Sequence, residues 1–478
     1  MSEGTLFVKD SRTSKEYEIP ITRNSVKAAD FKKIVGPAEG TNPADHVAKG
    51  LRLFDPGVQH TATHESKITW VDGNKGVLLF RGHNFQQLWD NDFEDMLHLM
   101  VWETLPTPEQ KESLRKEIAE VSYNVADSVA QTIRSFPQNG PAVPMALAGL
   151  AAYAAANPDI LPAYNAGTTL HRNPEAIRSA IVKAVGAYIT VIAIADCHRK
   201  GIKFTSPSLD KTVYENLLIM LGRVDADGNP DTLLLNSYRH SGAMGADHEI
   251  TNSTFALLVA ASSLGDPVSS LISAISTCYG PLHMGACESA FKSMQKVGSV
   301  ENARLLIESV KRGERRLYGY GHRMYRTVDP RIARVRGIVK DLGNDSHPVL
   351  PIAMEIDRLA STDEYFVKRD LHANVDLFVV FVGIGLGWHA DFVPLFIVLL
   401  RLPGYMAHWN EAMHRDIKLM RPAGFYTGPT EAVDDEPAVT TETTFAAPET
   451  PAAIPETAVP VPAAAAPAAV EPTAVPAN

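Results

Sequence analysis

Apolar and polar positions alternate at the start of the chain, and the period then lengthens. Leu6 and Val8, a turn over 10–14, and Tyr17, Ile19 and Ile21 show the two-residue period of a half-buried hairpin. Ile68 to Trp70 and Val77 to Phe80 flank Asp72-Gly73-Asn74-Lys75-Gly76, a turn sequence, and predict a second β piece. Beyond residue 93 the spacing is helical. Windows 93–102, 108–125, 143–156, 174–194 and 212–221 have helix length and a 3.6-residue apolar period. Pro108 and Pro174 stand at first turns, where the N–H would have no partner in any case. Windows 145–156 and 180–195 are apolar on most faces, which implies burial on several sides. Two such helices close together point to a subunit interface more than to one central core.

The most apolar run, 377–388 followed by 392–400, is interrupted by His389 and Asp391. Neither piece reaches the roughly 18 residues of a spanning helix, so it predicts a buried helix pair and no membrane segment. From about residue 430 the chain is rich in Pro and Ala and lacks periodicity, which predicts a disordered acidic tail over 431–478.

Charge sharpens that division. The net charge is −10, yet 431–478 alone holds 8 acidic and no basic residues, leaving −2 on everything before it. A nearly neutral body has no electrostatic footprint for nucleic acid. The 45% hydrophobic content over 478 residues is ample for a large core and two domains. Three cysteines, Cys197, Cys278 and Cys287, show no metal-type spacing and suit a reducing compartment. The first twenty residues carry Glu3, Asp10, Glu16 and Glu18 and no apolar core, unlike a secretory or transit peptide. A cytoplasmic location is the expectation that remains.

Four segments carry candidate chemistry. Asp247-His248-Glu249 precedes a helical run, but Asn252 stands where a zinc-protease helix needs its second histidine, so no metal site is expected. His248 remains a candidate contact to an anion or a carbonyl. Gly280-Pro281-Leu282-His283 ends one helix and precedes another. A helix N-terminus disfavours the imidazolium, and a neutral imidazole there can donate a hydrogen bond to a developing enolate. Cys287, four residues on, reads as a helix-packing residue. Gly319-Tyr320-Gly321-His322 lets backbone approach a ligand closely, and Arg323, Arg326 and Arg331 follow, a grouping suited to phosphate or carboxylate. Asn374-Val375-Asp376 enters Leu377-Phe378-Val379-Val380, where partial desolvation makes the carboxylate a stronger base.

In this order the segments resemble the citrate synthase family. To those already quoted are added Asp329-Pro330-Arg331, Arg401 ahead of Ala407-His408-Trp409, and Arg421-Pro422 ahead of Tyr426-Thr427-Gly428. The likeness runs from about residue 5 to residue 428. It implies a mainly α, two-domain helical fold with a small N-terminal β region. The expected parts are an N-terminal extension over 1–45, a large domain over 46–283 and 385–430, and a small mobile domain over 284–384. It implies condensation of an acyl-CoA with oxaloacetate, then thioester hydrolysis. By this likeness Asp376 takes the α-proton, His283 steadies the enolate, and His322 polarises the oxaloacetate carbonyl. His248, Arg331 and Arg401 hold carboxylates, with Arg421 reaching in from a partner in a homodimer or higher oligomer. Leu317, Tyr318, Gly319 and Arg326 contact CoA, and no cofactor is needed.

The chain departs from the family pattern beside two catalytic positions. Apolar Leu377-Phe378-Val379-Val380 replaces a stretch that usually carries Tyr or His and then Ser-Gly. Met284 and Cys287 stand where Gly and Asn are usual. A greasier acyl pocket is expected, accepting a chain longer than acetyl and giving a 2-alkylcitrate. Ordinary citrate synthase, 2-methylcitrate synthase and an idle regulatory homologue are the alternatives.

Overall fold

A computed structural model describes residues 3–36, 50–165 and 170–429. The expected tail, 431–478, and the expected boundary at residue 45 lie outside the described residues. The chain divides into two units, 1–59 with 423–478, and 60–422.

In the first unit, Glu3–Lys9, Glu16–Thr22 and Ser25–Val26 form an antiparallel three-stranded sheet. Leu6 pairs with Ile19 and Val8 with Tyr17, as the alternation predicts. Asp10 closes the first turn by accepting from the backbone and guanidinium of Arg12. Further on, Arg52 lies 4.7 Å over the ring of Phe425, which also packs edge-on against Phe54.

The second unit begins with the predicted second hairpin, Thr69–Asp72 against Val77–Phe80, extended by His83–Asn84. Leu78 and Phe80 point into the core while Trp70 stays exposed. The rest is helical. Thr107 and Thr212 cap Pro108–Tyr123 and Val213–Met220 with reciprocal capping boxes, so both helices start where their sequences predict. The helix Pro174–Lys200 runs one and a half turns beyond the expected end, to a left-handed Gly201.

That helix corrects one expectation. Its all-round apolar surface serves this chain's own core, with Ile181, Val185, Tyr188 and Ile192 all buried by intrachain neighbours. Over 180–195 every residue but Lys183 is buried, whereas Ala151 and Ala155 of the other all-round apolar helix, Ala142–Ala156, stay exposed. The segments 174–200 and 390–414 are long and apolar enough to cross a membrane, but their apolar windows are 94% and 83% buried within the chain. The expected helix pair in the most apolar stretch forms as Val379–Gly385 and Val393–His414.

Pro403 sits inside this last helix and supplies no N–H. The following Gly404 donates outward, to the carbonyl of Ala246 at 3.0 Å. A Cβ on Gly404 would stand 2.3 Å from that oxygen, so only glycine lets the Ala246–Asp247 loop seat here. The interrupted helix thereby places Arg401 beside the loop that carries His248.

Candidate active site

Three loops and one helix meet around two buried arginines. Arg331 is 5% exposed and forms a double-edged pair with Asp329: Nε lies 2.9 Å from Oδ1 and Nη2 lies 2.7 Å from Oδ2. Arg401, also 5% exposed, donates Nε to the carbonyl of Gly245 at 2.9 Å. Its Nη1 is buried with no hydrogen-bond partner. A buried guanidinium nitrogen left unpaired carries a desolvation penalty that an anionic ligand would remove. His248, His322 and Asp376 lie in the electrostatic reach of Arg331, and His248, His283 and Asp376 in that of Arg401.

The His322 loop is held from two sides. Main-chain N–H groups of Met324 and Tyr325 donate to His322 Nδ1 at 3.1 and 3.2 Å. With Nδ1 accepting, the neutral ring carries its proton on Nε2, ready to donate to a carbonyl. Burial, and then Arg331, push this imidazole down to about 4. On the other side the loop is laced to the segment before Asp376. Asn374 N–H donates to the Gly319 carbonyl at 2.9 Å, Asn374 Nδ2 to the Gly321 carbonyl at 2.8 Å, and Gly321 N–H to the His372 carbonyl at 2.8 Å. Gly319 has φ +81°, and a Cβ there would fall 2.8 Å from the Cα of Leu377, so backbone meets backbone only because this residue is glycine.

Asp329 joins the same lacing, since its Oδ2 also accepts from Val375 N–H at 3.2 Å. Asn374 Oδ1 accepts from the main-chain N–H of Asp376 at 3.0 Å and fixes that turn. Burial pushes the Asp376 carboxyl up to about 7, against the pull of Arg331 and Arg401. A carboxyl held there can take up and release a proton near neutral pH.

His283 lies at the turn before the helix Gly285–Val297, as its sequence predicts. Burial, with Arg401 adding to it, pushes its imidazole down to about 4. Its Nε2 is 2.7 Å from Ser253 Oγ, which is 2.7 Å from the Tyr405 hydroxyl. If Ser253 accepts from Tyr405 and donates to Nε2, the His283 proton sits on Nδ1 as a free donor. His248 is buried, 3.1 Å from the Tyr325 hydroxyl, with its ring centroid 5.1 Å from that of His322. Burial and the two arginines hold it well below the usual histidine range. The hairpin braces this floor: Glu249 Oε1 accepts from Val71 N–H at 2.9 Å, and Arg326 N–H donates to the Gly73 carbonyl at 2.9 Å.

Of the other expected residues, Leu317 and Gly319 are buried, Tyr318 is half-buried, and the Arg326 side chain is exposed. Arg421 is exposed in the extended stretch after the last helix. Cys287 is buried and donates Sγ to the Met284 carbonyl, a packing role. No group of three metal-ligating side chains occurs among the described residues. Ser253, Tyr405, Tyr325 and Asp329 hold the site and carry no signal in the sequence pattern, save that Asp329 lies beside Arg331.

The family profile described as citrate synthase, C-terminal domain, matches residues 57–423. The alkylcitrate synthase phiJ of a fungal species is 44% identical over 435 residues, 90% of this chain and 95% of the relative. The alkylcitrate synthase tstJ of Talaromyces stipitatus is 39% identical over 92% of this chain and 98% of its own length. Citrate synthases of Dictyostelium discoideum and plants stand at 31–32%. A citrate synthase from Thermoplasma acidophilum, solved in a ternary complex with carboxymethyl coenzyme A and oxaloacetate, superposes with a TM-score of 0.72. It is 25% identical and covers 80% of this chain and 98% of its own.

Proposed function

The chain belongs to the citrate synthase family, and from that premise we propose that it joins an acyl-CoA longer than acetyl-CoA to oxaloacetate and releases a 2-alkylcitrate and CoA. The observation that carries this reading is the buried cluster of His248, His283, His322 and Asp376 around Arg331 and Arg401, whose Nη1 has no partner, with the carboxyl pushed up and the imidazoles pushed down by burial. A thioester α-carbon is a very weak acid, so base and enolate donor must act together.

Oxaloacetate binds first, its carboxylates taken by Arg331, by the unpaired Nη1 of Arg401, by His248, and by Arg421 of the partner subunit in a homodimer. The segment 284–384 closes as a small domain and excludes water. Leu317, Tyr318, Gly319 and Arg326 contact CoA. Asp376 removes the α-proton while His283 Nδ1–H steadies the enolate oxygen. The enolate carbon attacks the oxaloacetate ketone, whose oxygen takes a proton from His322 Nε2. Water then cleaves the thioester, so one acyl-CoA, one oxaloacetate and one water give the alkylcitrate, CoA and a proton. The scheme calls for no cofactor. Three buried, unpaired cysteines suit a cytoplasmic setting. Likeness to alkylcitrate synthases at 39–44% and the apolar Leu377-Phe378-Val379-Val380 beside the base support the longer chain.

Oxaloacetate-dependent CoA release tests the assignment. The parent releases CoA and Asp376→Asn does not. Undiminished release in the variant would show that another group is the base.

A further inference from the structure

A polar relay links the loop that carries His322 to the segment that carries Asp376 without touching either side chain. Tyr320, between the two glycines of the His322 loop, donates its hydroxyl to Asp357, 2.5 Å from Oδ1 and 3.0 Å from the Asp357 carbonyl. The other carboxylate oxygen, Oδ2, receives Nη2 of Arg336. The Arg336 guanidinium lies 4.4 Å over the ring of Phe378, a fully buried residue two positions after Asp376. Its Nε is buried without a hydrogen-bond partner, so this guanidinium is located by the Asp357 carboxylate and the Phe378 face. Asp357 lies on the helix Leu350–Thr362, and Arg336 on the helix Ile332–Asp341 that begins directly after Arg331. One carboxylate thus grips both halves of the acid–base pair from outside the pocket.

We infer that Asp357 is a positioning residue: through Tyr320 on one side and Arg336 and Phe378 on the other, it sets the separation between His322 and Asp376. This rests on the reading of His322 as proton donor and Asp376 as base. The consequence is selective. Removing the α-proton uses Asp376 and His283. Forming the carbon–carbon bond also needs the ketone polarised by His322 to lie within reach of the new enolate. A misplacement of about 1 Å between reacting groups costs on the order of 100-fold in rate. Loss of the hub should therefore slow condensation far more than proton removal.

The test measures two rates on the full chain, its Asp357→Ala variant and its Asp357→Asn variant. Condensation is read as oxaloacetate-dependent CoA release, using whichever of acetyl-, propionyl- and hexanoyl-CoA the parent turns over best. Proton removal is read by mass spectrometry as washout of α-deuterium from the same acyl-CoA. That assay contains (S)-malate, which offers two carboxylates and no ketone to attack. The expected result is condensation down on the order of 100-fold in Asp357→Ala, with washout within about threefold of the parent. In Asp357→Asn, which keeps an acceptor for Tyr320, the loss is about tenfold with washout again retained. The Asn variant carries the same comparison if the Ala variant does not fold. Equal losses in both rates, or unchanged condensation, would overturn the positioning role. A parent that releases CoA from none of the three thioesters would overturn the proposed function beneath it, a distinct failure.

Discussion

Ser253 is where a small change reaches the chemistry through a single atom. Its hydroxyl is buried, 2.7 Å from His283 Nε2 and 2.7 Å from the Tyr405 hydroxyl. Ser253→Ala removes both contacts, leaving the imidazole nitrogen without a partner and the phenol with only the Cys278 thiol, 3.5 Å away. Each orphaned buried polar group costs about 1–3 kcal/mol. On the His283 side this penalty falls on the orientation that presents Nδ1–H to the enolate. If it is borne in the transition state, kcat drops roughly 10–100-fold. The KM for oxaloacetate should hold, since His248, Arg331 and Arg401 are untouched. The assay is steady-state CoA release with saturating acyl-CoA, paired with α-deuterium washout, and both rates should fall together because proton removal itself uses His283. The Tyr405 side appears separately as a lower Tm. A kcat within about threefold of the parent, or a change confined to the oxaloacetate KM, would refute the claim that Ser253 orients the enolate donor.

Other residues make separate predictions. Arg401→Lys keeps a charge but loses the planar fork whose Nη1 is unpaired, so the oxaloacetate KM rises on the order of 10–100-fold while far-ultraviolet circular dichroism is unchanged. The pH profile of kcat/KM should climb through about 7 as Asp376 ionises. The activating direction is towards higher pH, because the base works as carboxylate, and His283 and His322, held near 4, add no second limb above about pH 5. Asp376→Asn should raise Tm at pH 8 by about 2–4 °C while abolishing activity. A carboxyl whose folded value is raised destabilises the fold most above that value, and the amide removes the charge. Gly319→Ala forces a Cβ into φ +81° and to 2.8 Å from Leu377 Cα, so thermal denaturation should show about 2 kcal/mol or more of lost stability together with lost activity.

The sequence carried the elements whose signals are local. Alternation at Leu6, Val8, Tyr17 and Ile19 and the turn before Val77 were legible because a strand pair is set by its own period and turn. The capping boxes at Thr107 and Thr212 fixed helix starts for the same reason. The end of Pro174–Lys200 was not legible, because Asp196, Arg199 and Lys200 look like a polar exit. Asp196 is in fact buried and paired with Lys200 and Arg223, the latter brought from another helix end. Whether an all-round apolar helix serves a core or an interface is likewise decided by what surrounds it, and composition is the same in both cases.

The site divides along the same line. His283, His322 and Asp376 stand beside turn glycines, a proline or a sudden apolar run, so a residue type in an unusual place marked each one. Ser253 and Tyr405 are ordinary helix residues whose importance comes from a partner 152 positions away in sequence. Desolvation of Asp376 follows from the apolar run that begins at Leu377, and burial is what raises its carboxyl. For His283 the direction that its place before a helix implies is met, and burial and Arg401 lower the imidazole.

The most direct test of the central claim compares acetyl-, propionyl- and hexanoyl-CoA with oxaloacetate, reading kcat/KM for CoA release and the product mass for each. The highest kcat/KM is expected with the longest of the three, together with a product mass of the corresponding 2-alkylcitrate. A large preference for acetyl-CoA, with citrate as the product, would contradict it.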